Sequence, residues 1–231
     1  MRDKRYRRSA ARVEALARLK ELKSGAISAN KNSIPAHVRD MTFQSAIFQA
    51  SATLEEYVKQ IFDHWLFELK RQNMYGSNIP QRARFSYFGR EMSDAFIKYV
   101  YSRDEIELAE KIRGKSGLID FVMGSAAVLR HLNGEFAYKD RKYPSPKNIK
   151  KLYSRIGCDN IFDQLSREMK ADAELKLQSF NDIRTAIAHG TPPGLTIGDI
   201  KKSLGDVELI IRSLDRINHK EFSRDFGGGV W

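Results

Sequence analysis

Arg184 and His189 are the two residues of this chain whose types and spacing best suit chemistry, and they lie in the segment 181–190. A guanidinium neutralises an anionic group, and an imidazole accepts or donates a proton near neutral pH. An arginine and a following histidine with four to six residues between them are common by chance, however, and Arg212 with His219 forms a second such pair. Only the surroundings of each pair distinguish them.

The surroundings favour the first pair. Small and apolar side chains flank Arg184, which predicts a helix that is buried or lies at an interface where a second chain approaches over the alanines. In such surroundings an arginine needs an acidic partner, a buried carbonyl or an anionic ligand. Asn181, Arg184 and Thr185 share one helix face at spacings of three and four, which predicts a polar notch.

His189 lies at the predicted end of this helix. On an ideal helix it points about 140° away from Arg184. Gly190 ends the predicted helix, so the backbone of His189 can depart from helical geometry and turn the imidazole toward the notch. A helix C-terminus also stabilises an imidazolium, which suits a proton donor. Arg212 and His219 lie on a strongly polar helix end, where we expect exposed surface residues.

Other catalytic signatures are absent from the sequence. The five histidines are scattered, no HExxH or CxxC motif occurs, and Cys158 is the single cysteine, so no metal site is implied. The glycine-rich loops that cradle phosphates and the GxSxG turn of serine hydrolases are missing as well. We therefore expect neither a metal nor another cofactor.

Hydrophobic periodicity predicts an all-α fold. The most regular pattern runs from Asp40, a predicted N-cap, to Leu69. Further helices are predicted at 13–22, at 93–101, at 103–113 with a capping box of Ser102 and Glu105, at 117–132, at 146–156 between Ser145 and Gly157, at 159–189 with a break near 170, and at 197–218. We expect a helical bundle around the long second helix and the two C-terminal helices, with a basic helical N-terminal arm.

The charge distribution favours a polyanionic partner. The net charge is +11 and the pI is near 9.7, which suits RNA, DNA or an anionic membrane. Residues 1–23 hold nine Lys or Arg and three acids, hence six of the eleven net charges. Arg5, Arg7 and Arg8 in this arm are candidate RNA contacts, although a solvated tail fits the same charge block equally well.

Arg82 and Arg84 are further candidate RNA contacts because they alternate with aromatic residues in a predicted loop, 72–92. Half-buried loop aromatics with surface arginines give the same pattern. We expect three regions: a basic arm and linker at 1–39, a helical domain at 40–220 and a flexible tail at 221–231.

No apolar run is long enough to span a bilayer, and the N-terminus lacks the apolar core of a secretory signal. The single cysteine excludes an intrachain disulfide. These features favour a soluble protein of the reducing cytoplasm without a membrane partner.

Four segments, in order, resemble HEPN proteins of the RiboL-PSP and MAE_28990-like branches: 54–57, 145–157, 159–162 and 182–190. The similarity spans about residues 40–218. It implies a HEPN-like helical bundle that forms a homodimer, sets two Arg–His pairs against each other and cleaves RNA without a metal ion. It also implies a toxin or antiviral defence effector, with an antitoxin or defence-system protein as a further partner.

The resemblance assigns roles to individual residues. One His189 accepts the 2′-hydroxyl proton or protonates the leaving 5′-oxygen, Arg184 neutralises the phosphorane, and His189 of the second subunit does the complementary step, which leaves a 2′,3′-cyclic phosphate. Glu55 is the candidate for orienting Arg184. Many active members place Asn, Asp or His directly after the arginine, where this chain has Thr185. A non-catalytic RNA-binding or assembly module of HEPN type and a basic helical scaffold therefore stay open as alternatives.

Overall fold

A computed structural model describes residues 6–126, 132–139, 143–190 and 194–225 of the chain. Within these ranges the backbone forms α-helices and a 3-10 turn at Gly76–Asn78, with no β-strand, which confirms the all-α prediction. The helices are α1 Ala10–Ala29, α2 Ala36–Arg71, α3 Gln81–Glu91, α4 Ser93–Ser102, α5 Glu105–Arg113, α6 Ser116–Met123, α7 Glu135–Tyr138, α8 Pro146–Arg155, α9 Ile161–Met169, α10 Ala173–Ala188 and α11 Ile197–Asp225.

The helices form two compact units, where the sequence predicted one helical domain with an arm. The first unit is built from the described residues within 1–61, 141–150 and 160–231, and the second from those within 62–140 and 151–159. Both α2 and α8 contribute residues to the two units.

The core of the first unit follows the predicted periodicity. Along α2, buried apolar side chains recur every three or four residues: Phe43, Ile47, Ala50, Leu54, Tyr57, Val58 and Ile61. The same spacing is seen along α11, at Ile200, Leu204, Val207, Ile210, Ile211 and Leu214. Helices α9 and α10 pack against α11 and against each other. Burial of one Leu or Ile side chain contributes about 1.5–3 kcal/mol, so these faces hold α10 firmly in place.

Helix α1 is longer than predicted and packs on α11. It continues through Ser24-Gly25, where the sequence predicted its end. A side chain at Gly25 would meet no neighbour, and a single glycine in a helix costs only about 1 kcal/mol. Helix α2 is also longer than predicted. It begins at Ala36, where the carbonyl of Pro35 accepts from the amides of Val38 and Arg39, so the predicted N-cap Asp40 lies inside the helix.

The second unit contains a helix that the sequence predicted as loop. Helix α3 occupies most of the segment 72–92 and begins directly after Pro80. Its buried Ala83 and half-buried Tyr87 face the unit's core, where the Tyr87 ring meets Phe121 and Phe136 edge-on. The aromatic residues that suggested base stacking thus serve in part to pack α3.

Other helix ends differ from the predictions for local reasons. The N-cap of α5 is Asp104, whose carboxylate accepts from the amide of Glu107, so the predicted capping box of Ser102 and Glu105 is wrong. Helix α6 ends at Gly124, which has a φ of +86°, well before the predicted residue 132; residues 127–131 lie outside the described ranges. Helix α7 lies in a predicted loop, and α11 continues seven residues past the predicted end at Asn218 into the predicted tail.

The predicted boundaries around α8, α9 and α10 are confirmed. Ser145 caps α8 by accepting from the amide of Asn148 at 3.2 Å, and Gly157 follows the helix with a φ of +86°. The break near residue 170 is Lys170, which ends α9 with a φ of +51°.

Candidate active site

Helix α10 positions the Arg–His pair. It begins at Asp172, whose carboxylate accepts from the amide of Leu175 at 2.9 Å. It ends at His189, whose backbone, at φ −91° and ψ 10°, has left helical geometry although its amide still donates to the carbonyl of Thr185. Gly190 follows with a φ of +73°, a conformation that other residues rarely adopt. The predicted glycine terminator is therefore confirmed.

Arg184 is held by two aromatic rings. Its guanidinium carbon lies 4.7 Å from the centroid of the Tyr143 ring and 5.5 Å from that of Phe48, within cation–π range of both. The side chain is half-buried, and its Nε is fully buried without a hydrogen-bond partner among the described residues. It forms no ion pair with a described carboxylate. Among the described residues it therefore has neither of the two protein partners that were expected as alternatives, an acid or a carbonyl.

Tyr143 connects Arg184 to Asn181. The Tyr143 hydroxyl donates to Oδ1 of the buried Asn181 at 2.8 Å, and the Asn181 amide donates to the carbonyl of Pro144 at 3.3 Å. Burial raises the pKa of Tyr143, while a hydrogen bond with Thr185 and the charge of Arg184 partly oppose the shift. The hydroxyl is therefore a neutral donor at physiological pH.

The polar notch is thus built differently from the prediction. Asn181, expected to line it, instead holds Tyr143, which sequence reasoning did not single out. The only signal for Tyr143 was its place in a basic loop directly before Pro144. Phe48 gave no signal beyond its position on the apolar α2.

Thr185 and His189 face solvent. The His189 imidazole makes no hydrogen bond with a described residue. The structure therefore brings Arg184, Thr185 and Asn181 together around Tyr143, with His189 exposed at the end of the same helix.

Glu55 was the candidate for orienting Arg184, but its carboxylate has a different partner. Its carboxylate pairs with Lys59 one turn along α2, at 2.6 Å, and the long helix instead presents the Phe48 ring to the arginine. Among the described residues, Glu55 therefore has a local i,i+4 partner in place of the predicted contact with Arg184.

The second Arg–His pair is structural, and its predicted exposure is wrong for His219. That residue is only 8% exposed, and its ring meets Tyr6 edge-on at 5.3 Å. Burial lowers the pKa of His219, with the nearby Asp215 opposing the shift. Arg212 pairs with Glu208 on its own helix.

The candidate RNA contacts have different environments. Arg7 and Arg8 are exposed just before α1, whereas Arg5 lies outside the described residues. Arg82 is exposed and pairs with Asp159. Arg84, the other candidate in this segment, donates to the carbonyls of Ile79 and Val122, which ties α3 to the rest of its unit.

The described residues contain neither a candidate membrane span nor a candidate metal cluster. No helix among them combines the length and the apolar composition that a membrane span needs. No three or more of their His, Cys, Asp or Glu side chains come together in a way that could hold a metal ion.

The chain matches a known protein family. A model of the RiboL-PSP-HEPN family matches residues 13–217, which include all of α10 and most of α1. No curated protein and no solved structure matches the chain.

Proposed function

Because the chain belongs to the RiboL-PSP-HEPN family, we propose that it is a metal-independent endoribonuclease with Arg184 and His189 as catalytic residues. The observation that carries the proposal is the environment of Arg184: its guanidinium lies within cation–π distance of two rings and has no counterion among the described residues. A fixed and uncompensated cation suits the phosphate of a nucleic acid. The exposed His189 at the end of the same helix supplies a group for proton transfer.

The reaction follows from these two groups. Arg184 binds the non-bridging oxygens of the scissile phosphate and stabilises the extra charge of the phosphorane. One His189 removes the proton of the 2′-hydroxyl, whose oxygen attacks the phosphorus, and His189 of a second copy protonates the departing 5′-oxygen. The products are a 2′,3′-cyclic phosphate and a 5′-hydroxyl. DNA resists because it lacks the attacking 2′-hydroxyl.

The proposal includes a biological setting that the resemblance to HEPN proteins implies. The enzyme acts in the cytoplasm as a toxin or antiviral defence effector, works as a homodimer, and is restrained by an antitoxin or another defence-system protein. The support for this setting is the family alone.

The test is cleavage of total cellular RNA in the presence of EDTA, with the 3′ ends mapped chemically. We expect fragments that end in 2′,3′-cyclic phosphate. His189→Ala should lower the rate by about 10²- to 10⁴-fold, because general acid–base catalysis contributes that much. His37→Ala replaces another exposed histidine and is the matched control. Equal rates for wild type and His189→Ala would contradict the proposal.

The second candidate is a non-catalytic RNA-binding module, which Thr185 and the exposed Arg7 and Arg8 favour. In that case a broad panel of tRNA, mRNA and rRNA stays intact. The RNA would still bind, with an affinity that falls steeply as salt rises because phosphate contacts release counterions. RNA cleavage under EDTA excludes this candidate.

A further inference from the structure

Arg184 differs from the two buried arginines of the described chain in how its charge is held. Arg12 pairs with Asp215, and Arg155 donates to the carbonyl of Ala137. The Arg184 guanidinium lies within cation–π distance of the rings of Tyr143 and Phe48 and makes no ion pair or hydrogen bond with a described residue. A carboxylate partner would neutralise the cation, whereas an aromatic ring fixes its position and leaves the net charge in place.

We propose that Tyr143 and Phe48 form an aromatic clamp, a pair of positioning residues that orients the Arg184 guanidinium toward an RNA phosphate while leaving its charge uncompensated. This inference rests on the proposed function and explains how the catalytic cation is prepared. The rings use none of the hydrogen-bonding capacity of the guanidinium, and its terminal N–H groups make no hydrogen bond with a described residue, so they can bind two phosphate oxygens side by side.

Both rings are themselves fixed. The Tyr143 hydroxyl is held by Asn181, and the Tyr143 carbonyl accepts from the side-chain amide of Asn148 at 2.8 Å. Phe48 lies between the buried Ile47 and Ala50 on α2. A clamp of this rigidity loses little freedom when substrate binds, which is what preorganised electrostatic catalysis requires.

The cost of losing one ring follows from the strength of a cation–π contact, which corresponds to roughly a 2- to 30-fold change in an equilibrium or rate constant. We expect Tyr143→Leu to lower kcat by about tenfold while KM changes by less than about threefold, because Arg184 acts mainly on the transition state. Tyr143→Phe keeps the ring and should restore most of the lost kcat. Phe48→Leu tests the other half of the clamp and should act in the same direction.

A spectroscopic measurement tests the clamp without relying on catalysis. The N–H proton of Arg184 lies near two ring faces, so its proton resonance should be shifted upfield, and Arg184→Lys assigns the peak by removing it. Tyr143→Leu should move this peak back toward the position of a free arginine, whereas Tyr143→Phe should not. Tyr101→Leu, at an 85% exposed tyrosine, is the matched control.

The outcomes separate the clamp from the proposed function. Failure of the wild type to cleave RNA, together with a ring-shifted Arg184 peak that moves on titration with inorganic phosphate, would reject the ribonuclease and keep the clamp. An Arg184 peak at the free-arginine position, or one unaffected by Tyr143→Leu in a folded protein, would overturn the clamp. Loss of kcat in Tyr143→Leu without rescue by Tyr143→Phe would also overturn it.

Discussion

At the scale of the single residue, the environment of Arg184 is locally unfavourable for the stability of the fold. Its Nε is buried without a partner among the described residues, and a buried unsatisfied donor costs about 1–3 kcal/mol. Structures retain such groups where a ligand or a reaction needs them. The Nε atoms of Arg12 and Arg155 are buried and unpaired as well, but a terminal nitrogen of Arg12 pairs with Asp215 and one of Arg155 donates to the carbonyl of Ala137. The terminal nitrogens of Arg184 have no such partner among the described residues.

We therefore expect Arg184→Met to raise the free energy of unfolding by about 1 kcal/mol, because methionine fills similar space between the rings and buries no unpaired donor. The same variant should lose RNA cleavage. Urea denaturation followed by circular dichroism measures the first effect, and the EDTA cleavage assay measures the second.

Arg155→Met is the matched control, because Arg155 is 4% exposed and bonded to the Ala137 carbonyl. Its replacement leaves that buried carbonyl unpaired and should destabilise the protein by about 1–3 kcal/mol. If Arg184→Met destabilised the protein as much as Arg155→Met does, Arg184 would be a structural residue.

At the scale of the element, α1 is fastened to α11 by one buried carboxylate. Asp215 is fully buried and accepts hydrogen bonds from the hydroxyls of Ser9 and of Tyr6, the latter at 2.5 Å. Arg12, 3% exposed, lies 3.7 Å from the same carboxylate. The cluster fixes the start of α1, so the exposed Arg7 and Arg8 emerge from an anchored helix.

Asp215→Ala should therefore lower the free energy of unfolding by about 3–5 kcal/mol, because it leaves the Arg12 charge buried without its acid. Glu208→Ala on the same helix removes an acid from a half-exposed ion pair with Arg212 and should cost less than about 1 kcal/mol. Guanidinium chloride titration of both variants gives the comparison. Equal losses would mean that Asp215 does not anchor α1.

Local patterns predicted the elements well where one signal dominated. The long apolar stripe of α2, the Ser145 cap and the Gly190 terminator each rest on neighbouring residues and were all correct. Helix α3 was missed because Gly89 and the alternating arginines are typical of a loop. Gly89 is nevertheless exposed on the helix, and a Cβ atom there would meet no neighbouring atom. The Asp215 cluster was missed because its partners are about two hundred residues apart in sequence.

At the scale of the whole molecule, the environment of Arg184 could not be predicted from the sequence, because the residues that form it are also far apart in the chain. Phe48, Tyr143 and Arg184 come from three distant segments, and only the packing of the first unit brings them together. The proposed catalytic pair was found because Arg184 lies on α10 and His189 is the next residue after that helix. Helical spacing predicted that Asn181 and Thr185 lie on the same helix face as Arg184. It did not predict that the buried Asn181 accepts a hydrogen bond from Tyr143.

Each chain offers one exposed His189 near Arg184, while the proposed reaction needs a base and an acid at once. A second copy supplies the missing group, so activity should belong to dimers.

Mixing wild type with a ninefold excess of His189→Ala, under conditions of subunit exchange, leaves roughly a tenth of the wild-type subunits in wild-type dimers. We expect the cleavage rate per wild-type subunit to fall in that proportion, with dimer formation followed by mass photometry. The same excess of serum albumin should have no effect, and an undiminished rate in mixed dimers would mean that one chain carries the complete site.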